Sequence, residues 1–346
     1  MKLWHHPLSE NDIRQCLRIA TGASIGFFLC KFFNWSYGVF FTVTPILLLG
    51  MISKVTGDAA RQCLASAVVC GLEVGILGGL FGSAPAQMAI VAFLLFIYKF
   101  ACMSKGSLFL FGANGVLSLS IMLNFASYPA TDLNELIFTN LGASFLSVII
   151  AFAMMVLIPD RGSDEKASAH VQPKAKRENQ TRHEVLMGAT IATISFLMFQ
   201  VFDLSDSLSA QATSVLLLFP MHWNGTLGYA RKRAMGTILG VAVGLIAQVV
   251  LYNWSGELLL VLPVLWIGLM LFSYAHTKEG GGSSVGFGAL TTLGILFGQN
   301  LAPDNDLFFS ALYRVSSILF AIVVTLLICY IVHKSLNSFA ATRYGQ

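Results

Sequence analysis

Charged side chains are scarce in this chain. They make up 11% of its 346 residues, whereas apolar side chains make up 56%, and the mean hydropathy is +0.73. A soluble domain carries about 25% charged residues. The composition therefore excludes an ordinary soluble domain and predicts an integral membrane protein. The net charge of +4 matters less than where the charges lie along the chain.

Several chemical signatures are also missing. The six cysteines match neither a metal site nor the disulfide framework of a secreted domain, so we expect no metal and no cofactor. The chain has no phosphate-binding Gly-Lys-Ser/Thr loop and no arguable Ser/His/Asp set. We therefore predict that it is not an enzyme. The first apolar run lacks a small-x-small cleavage site, so we expect it to remain as a helix.

Long apolar runs are abundant instead. Several contain only 16–18 residues, which is short of the roughly 20 needed by a perpendicular helix. The pattern predicts an all-α, polytopic membrane protein with about twelve transmembrane helices. The predicted spans are 14–33, 37–53, 61–81, 86–103, 107–124, 135–158, 184–202, 207–223, 232–252, 257–275, 283–300 and 307–332.

The basic residues test this assignment. With the N-terminus inside and the spans alternating, 19 of the 21 Lys and Arg fall on the inner side, and only Lys31 and Arg314 fall outside. Such an excess is typical of cytoplasmic loops. A missed span would invert every later loop. The distribution therefore predicts that both termini lie in the cytoplasm.

The chain also carries a weak internal repeat. Residues 17–49 align with 186–218 at an offset of 169, and the offset becomes 176 further on, where Phe111-Gly112-Ala113 matches Phe287-Gly288-Ala289. The repeat predicts two parallel six-helix units, 1–158 and 184–346, joined by a polar cytoplasmic linker, 159–183. Related halves of this kind are typical of transporters.

Glu73 is the acidic residue that we place well inside the hydrocarbon, near the middle of the third span. A charge at that depth costs about 2.5–3.5 kcal/mol, so it should face a cavity or a partner. A carboxyl group there suits proton coupling, although a purely packing role is the alternative. Its repeat position holds Ala242, so any role is asymmetric.

The fifth and eleventh spans are glycine-rich at corresponding positions, which is a pointer to a central binding site. There Asn114 could donate to an anion, and Phe111 and Phe287 could stack on an aromatic ligand. Close helix packing is the alternative explanation of the glycines. Tyr98 and Tyr274 are substrate-binding candidates or, alternatively, members of the aromatic belt at the membrane interface.

Small residues at four-residue spacing predict close helix contacts, within one chain or between protomers of a homodimer. They are Gly71 and Gly75 in the third span, and Gly236, Gly240 and Gly244 in the ninth. Arg314, at the outer start of the last span, could attract an anion or extend to the lipid headgroups.

Residues 225–240 carry a family resemblance. A glycine-rich turn leads to Arg233, and Gly236-Thr237 opens the next span. With 34–45 and the turn 57–61 in the first half, this resembles the fusaric-acid-resistance superfamily, which includes bacterial aromatic-acid exporters. The resemblance implies an inner-membrane efflux component that works with a periplasmic membrane-fusion adaptor. Two features depart from it, because Arg61 is not followed by Gly-Thr and large cytoplasmic domains are absent.

Arg233 lies beside Arg231 and Lys232 at the predicted cytoplasmic mouth of the ninth span, where the cluster could collect anions. We therefore predict a proton-driven exporter of small organic anions, aromatic or amphipathic. A passive anion channel and a non-transporting subunit of an envelope complex remain alternatives. Contact with nucleic acid is not expected of so short a basic linker, and the segment 50–57 lacks the loop motif of major-facilitator transporters.

Overall fold

The computed structural model describes residues 8–344, apart from 53, 83, 129–130, 162–176, 203–207, 252–253, 255 and 301–306. The described residues form twelve α-helices and one short 3-10 helix, and they contain no strand. The all-α prediction is therefore confirmed. The helices are α1 Glu10–Phe32, α2 Gly38–Met51, α3 Gly57–Phe81, α4 Pro85–Ser104, α5 Phe109–Ala126, α6 Leu133–Leu157, α7 Glu178–Val201, α8 Leu208–Leu216, α9 Trp223–Val250, α10 Leu258–Lys278, α11 Val285–Asn300 and α12 Leu307–Ser338.

Eight of these helices are long and apolar enough to cross a bilayer, namely α3–α7, α9, α10 and α12. Helices α2 and α11 are apolar but shorter. The chain is thus a multi-pass α-helical membrane protein. Every predicted span contains a helix, but α8 has only nine residues and gives way to turns over 217–220.

The largest error in the predicted boundaries concerns α9. This helix begins at Trp223, nine residues before the predicted start of the span, so the turn predicted over 225–228 is helical. Gly225 fits because a side chain there would meet Pro220 and His222, whereas Gly228 faces open space. Glycine lowers helix propensity by only about 1 kcal/mol, which the following long apolar stretch outweighs.

Contacts between helices occur in matched pairs. Helix α3 packs on α5 and α6 as α9 packs on α11 and α12. Between the halves, α1 packs on α10 as α7 packs on α4, and α2 packs on α11 as α8 packs on α5. This pairing is what two related units would produce. It supports our proposal of two six-helix repeats, whose boundaries remain a prediction.

The segment predicted as a flexible linker is partly attached to the helices. Arg18 of α1 forms an ion pair of 2.7 Å with Asp160, and the side-chain amide of Asn11 donates to the carbonyl oxygen of Arg161. At the other end, α7 begins at Glu178, inside the predicted linker. Residues 162–176 lie outside the described part of the chain.

The glycines at four-residue spacing in α3 and α9 contact different neighbouring helices in the two halves. A Cβ atom at Gly236 would lie 2.5 Å from the carbonyl oxygen of Val285, so α9 approaches the backbone of α11 there. Gly240 and Gly244 continue this contact, at the backbone of Ala289 and the side chain of Leu296. Gly71 and Gly75 instead face Ile137 of α6. Positions matched by the repeat thus point toward different helices.

Gly236→Ala should destabilise the protein. Its new methyl group would be forced against the backbone of α11, and overpacking of this kind costs about 1–3 kcal/mol. Gly228→Ala is the matched control, because the same helix offers open space at that position. We expect a lower thermal unfolding midpoint in detergent for Gly236→Ala and an unchanged or higher one for Gly228→Ala. Equal midpoints in the two variants would contradict the close approach.

Candidate functional site

A narrow cavity lies where the two halves meet. Its walls come mainly from α2 and α5 of the first half and from α8 and α11 of the second, and α9 contributes Arg233. Most of the lining is apolar, and the polar exceptions are Thr44, Asn114, Ser118, Thr291 and Arg233. An apolar cleft with a few converging polar groups is the usual form of a small-molecule site. Its position between the halves matches where transporters of doubled architecture bind their substrates.

The side chain of Arg233 is fully buried in the helix bundle. Helix α9 begins nine residues before the predicted span, so ten residues of helix precede Arg233. At 1.5 Å per residue, that length carries Arg233 about 15 Å from the helix start. The neighbouring Arg231 and Lys232 are exposed, and Lys232 pairs with Glu279 at 3.6 Å.

Neutral oxygens surround the guanidinium group of Arg233. Its Nε and Nη2 atoms donate to the hydroxyl of Thr213 at 3.3 and 3.2 Å. Its Nη1 atom donates to the carbonyl oxygen of Gly288 at 3.3 Å and to the hydroxyl of Thr291. None of these partners carries a negative charge. The desolvation of a buried ion costs several kcal/mol unless a counter-charge is near, so the site favours an anion.

Asn114 contributes an amide to the same cavity. Its Nδ2 atom is buried and has no hydrogen-bond partner among the described residues. An unsatisfied buried donor of this kind costs about 1–3 kcal/mol, which a bound acceptor would recover. Asn114 therefore brings a donor without a described partner to the cavity that Arg233 lines.

Asn114 also lines a second cavity, which extends toward Met51, Ala59 and Leu110, at the helix ends that we predict to face the cytoplasm. The two cavities share Thr44, Leu47, Asn114 and Leu117. Together they follow the junction between the halves from the predicted inner ends of the helices toward the outer ones.

Glu73 has a partner that the sequence analysis missed. The Nζ atom of Lys99, from α4, lies 3.0 Å from the Oε1 atom of Glu73. The side chain of Lys99 is completely buried and that of Glu73 is 13% exposed. The alternation of the predicted spans assigned Lys99 to the inner side without a partner. Instead it neutralises Glu73 within the helix bundle.

The ion pair is packed directly against the cavity wall. A Cβ atom at Gly115 would lie 2.9 Å from the Cδ atom of Lys99, and Gly115 follows Asn114 in α5. The ammonium group also lies 5.0 Å from the ring centre of Phe111 and 5.3 Å from that of Tyr98. Glycine at 115 thus lets the charged pair approach the backbone that carries the unsatisfied amide.

The predicted aromatic site residues lie away from the central cavity. Phe111 packs edge-on against Tyr98 at 6.2 Å, and Phe287 packs on His276 at 5.4 Å. Tyr98 and Tyr274 are about half exposed. None of the four lines either cavity. The side chain of Arg314 lies outside the described part of the chain.

The glycine-rich stretches do not interrupt helices α5 and α11. Both helices run continuously through their glycines, and the described glycines with a positive φ lie in the loops before them, at Gly106 and at Gly280, Gly281 and Gly282. The glycines instead allow close packing, as at Gly286, where a Cβ atom would lie 2.2 Å from the backbone nitrogen of His276.

The internal repeat compares the hydrogen-bond partners of Arg233, Thr213 and Thr291, with residues of the first half. Thr213 matches Thr44 at the offset of 169, and Thr291 matches Gly115 at the offset of 176. Thr44 lines both cavities. The halves therefore share the threonine but differ at the positions of the arginine, the amide and the ion pair.

Family comparisons match the two halves separately. Residues 15–154 match a family described as a protein of unknown function (DUF2955). Residues 191–328 match a family described as fusaric acid resistance protein-like. No curated protein and no solved structure matches the chain. The matches confirm the resemblance inferred from 225–240, and they assign the first half to an uncharacterised family.

Proposed function

We propose that this fusaric-acid-resistance-like membrane protein is an inner-membrane efflux transporter for small organic anions, aromatic ones included. The observation that carries the proposal is Arg233, a buried cation whose described hydrogen bonds all go to neutral oxygens in a cavity between the halves. Asn114 adds a free donor. The apolar remainder of the lining suits a carbon skeleton.

We propose that the proton motive force drives export through Glu73. Protonation of this carboxylate would cancel its charge and release Lys99 from their 3.0 Å pair. Lys99 lies on α4, which packs on α7 of the other half, and it contacts Gly115 beside Asn114. A proton at Glu73 can therefore alter both the fit between the halves and the anion site. A transporter needs such a bistable element to bias one state.

The transport proposal is tested by flux into proteoliposomes. Benzenesulfonate is a suitable probe, because a strong acid has no neutral form that crosses the bilayer unaided. We expect protein-dependent accumulation above the external concentration when a pH gradient is imposed, and its loss on adding a protonophore. Flux that only follows the membrane potential would identify a passive channel instead. No protein-dependent flux would favour a non-transporting subunit.

Several sequence expectations remain proposals. They are the cytoplasmic location of both termini, a periplasmic adaptor partner and a homodimeric assembly. Orientation can be tested with single cysteines at exposed positions, since the six native cysteines are buried. We expect a membrane-impermeant reagent to label Arg231→Cys only from the cytoplasmic side.

A further inference from the structure

A chain of hydrogen bonds ties residues 342–344 to helices α7 and α12. The Nδ1 atom of His183, in α7, lies 2.7 Å from the carbonyl oxygen of Thr342, and its Nε2 atom lies 2.9 Å from Nδ1 of His333, in α12. The Nε2 atom of His333 lies 3.0 Å from the amide nitrogen of Asn337. The amide oxygen of Asn337 then accepts from the backbone N–H of Tyr344 at 2.9 Å.

The groups at the two ends of this hydrogen-bond series determine which atoms donate and which accept at every step between them. A carbonyl oxygen can only accept, so Nδ1 of His183 carries a hydrogen and its Nε2 accepts from His333. A backbone N–H can only donate, so the oxygen of Asn337 faces Tyr344 and its NH₂ group donates to His333. All four bonds are satisfied only when both imidazoles are neutral. His183 is fully buried, which also disfavours charge.

One added proton disrupts this series of hydrogen bonds, whichever imidazole nitrogen it binds. On Nε2 of His333 it faces the NH₂ group of Asn337, and on Nε2 of His183 it faces the N–H of His333. Rotating the Asn337 amide moves the conflict to the N–H of Tyr344. Two donors then oppose each other, and a contact that holds residues 339–344, here called the tail, is lost.

Neighbouring groups relieve this conflict only in part. Glu184 lies beside His183 in the sequence, and its negative charge partly offsets the cost that burial places on a charged His183. Its carboxylate also accepts from the phenol of Tyr344 at 3.2 Å. Burial and that carboxylate raise the pKa of Tyr344 to about 12, so the phenol stays protonated at physiological pH. A pocket lined by residues of α12, of the tail and of the start of α9 surrounds His333. It contains His222 and Arg343, and the next residue of α12 is Lys334. These groups are basic, and none can stabilise an imidazolium.

We propose that the His183–His333 pair is a proton sensor that releases the tail when the predicted cytoplasmic side becomes acidic. The docked tail closes a pocket that also contains Trp223, the first residue of α9, and Trp223 stacks on His333. Release therefore loosens the start of the helix that carries Arg233. Because the docked form holds both imidazoles neutral, docking is fully stable above the ordinary imidazole pKa of about 6.5 and weakens progressively as the pH falls below it.

Spin labelling of the exposed Ala341, as Ala341→Cys in the full chain, reports docking directly. We expect a mostly immobile label at about pH 8 and a mostly mobile one at about pH 5.5. His222→Ala is the matched control. His222 lies in the same pocket but is outside the hydrogen-bond chain, so the pH response should persist.

Asn337→Asp should reverse the response. A carboxylate at 337 can accept from both the N–H of Tyr344 and a protonated His333, so the tail should stay docked at about pH 5.5. The proposal is overturned if the unmodified chain keeps an immobile tail in acid, or if Asn337→Asp releases it as readily. The label measures no transport, so either result leaves the proposed anion site untouched.

Discussion

Arg233→Gln should nearly abolish transport of benzenesulfonate while leaving the protein folded. The guanidinium is the one fully buried cation of the described cavity walls. Removing one partner of a buried charge pair costs about 2–5 kcal/mol of binding, which is roughly thirty-fold to several-thousand-fold in affinity. We expect protein-dependent flux to fall within that range at low substrate concentration.

The stability of the Arg233→Gln variant separates substrate binding from packing. The empty site holds a cation with only neutral partners, so its removal should leave the unfolding midpoint unchanged or raise it. Arg231→Gln is the matched control. It removes the same charge two residues away on the same helix, from an exposed position, and should preserve flux. Loss of flux in both variants would point to surface charge and not to the cavity.

Glu73→Gln should uncouple anion movement from the proton gradient. The amide cannot take up a proton as the carboxylate does, and it leaves the fully buried Lys99 without a counter-charge. Breaking a buried pair in this way costs about 3–5 kcal/mol of stability. We expect a lower unfolding midpoint and loss of accumulation under a pH gradient, whereas downhill flux persists.

The double variant Glu73→Gln/Lys99→Met distinguishes the two effects of that substitution. It leaves no unpaired charge, so stability should largely return, but it lacks the titratable carboxylate, so accumulation should not. Recovery of accumulation in the double variant would show that the pair serves packing alone. Accumulation unaffected by Glu73→Gln would remove the carboxylate from the coupling mechanism.

Composition and basic-residue placement were enough to predict the helices, because apolar length and loop charge are local properties. The same reasoning did not predict that Arg233 and Lys99 are fully buried. A topological rule assigns basic residues to the inner loops, and it cannot recognise one that a tertiary contact neutralises or holds inside. The glycines and arginine of 225–233 resembled a turn, whereas the structure continues them into α9.

The repeat predicted which helices correspond but not how each is rotated. One residue along a helix turns a position by about 100°, so an alignment does not fix the direction of a side chain. Gly71 faces α6, whereas its match Gly240 faces α11. The convergence of Asn114 and Arg233 could not be predicted either. It depends on α5 and α9, from different halves, lining the same cavity. The spacing of residues in the sequence does not indicate which helices line a cavity together.

The crossed contacts between the halves also constrain the order of folding. Helix α1 packs on α10, where Thr21 accepts from the indole of Trp266 and Cys16 lies 3.3 Å from the hydroxyl of Thr277. The two pairs of partners are 245 and 261 residues apart in the sequence, so α1 enters the membrane long before α10 is synthesised. Contacts this distant in sequence form late and slow folding. During synthesis one face of α1 therefore stays unpacked until α10 is inserted. A first half expressed alone should be degraded quickly unless the second half is expressed with it.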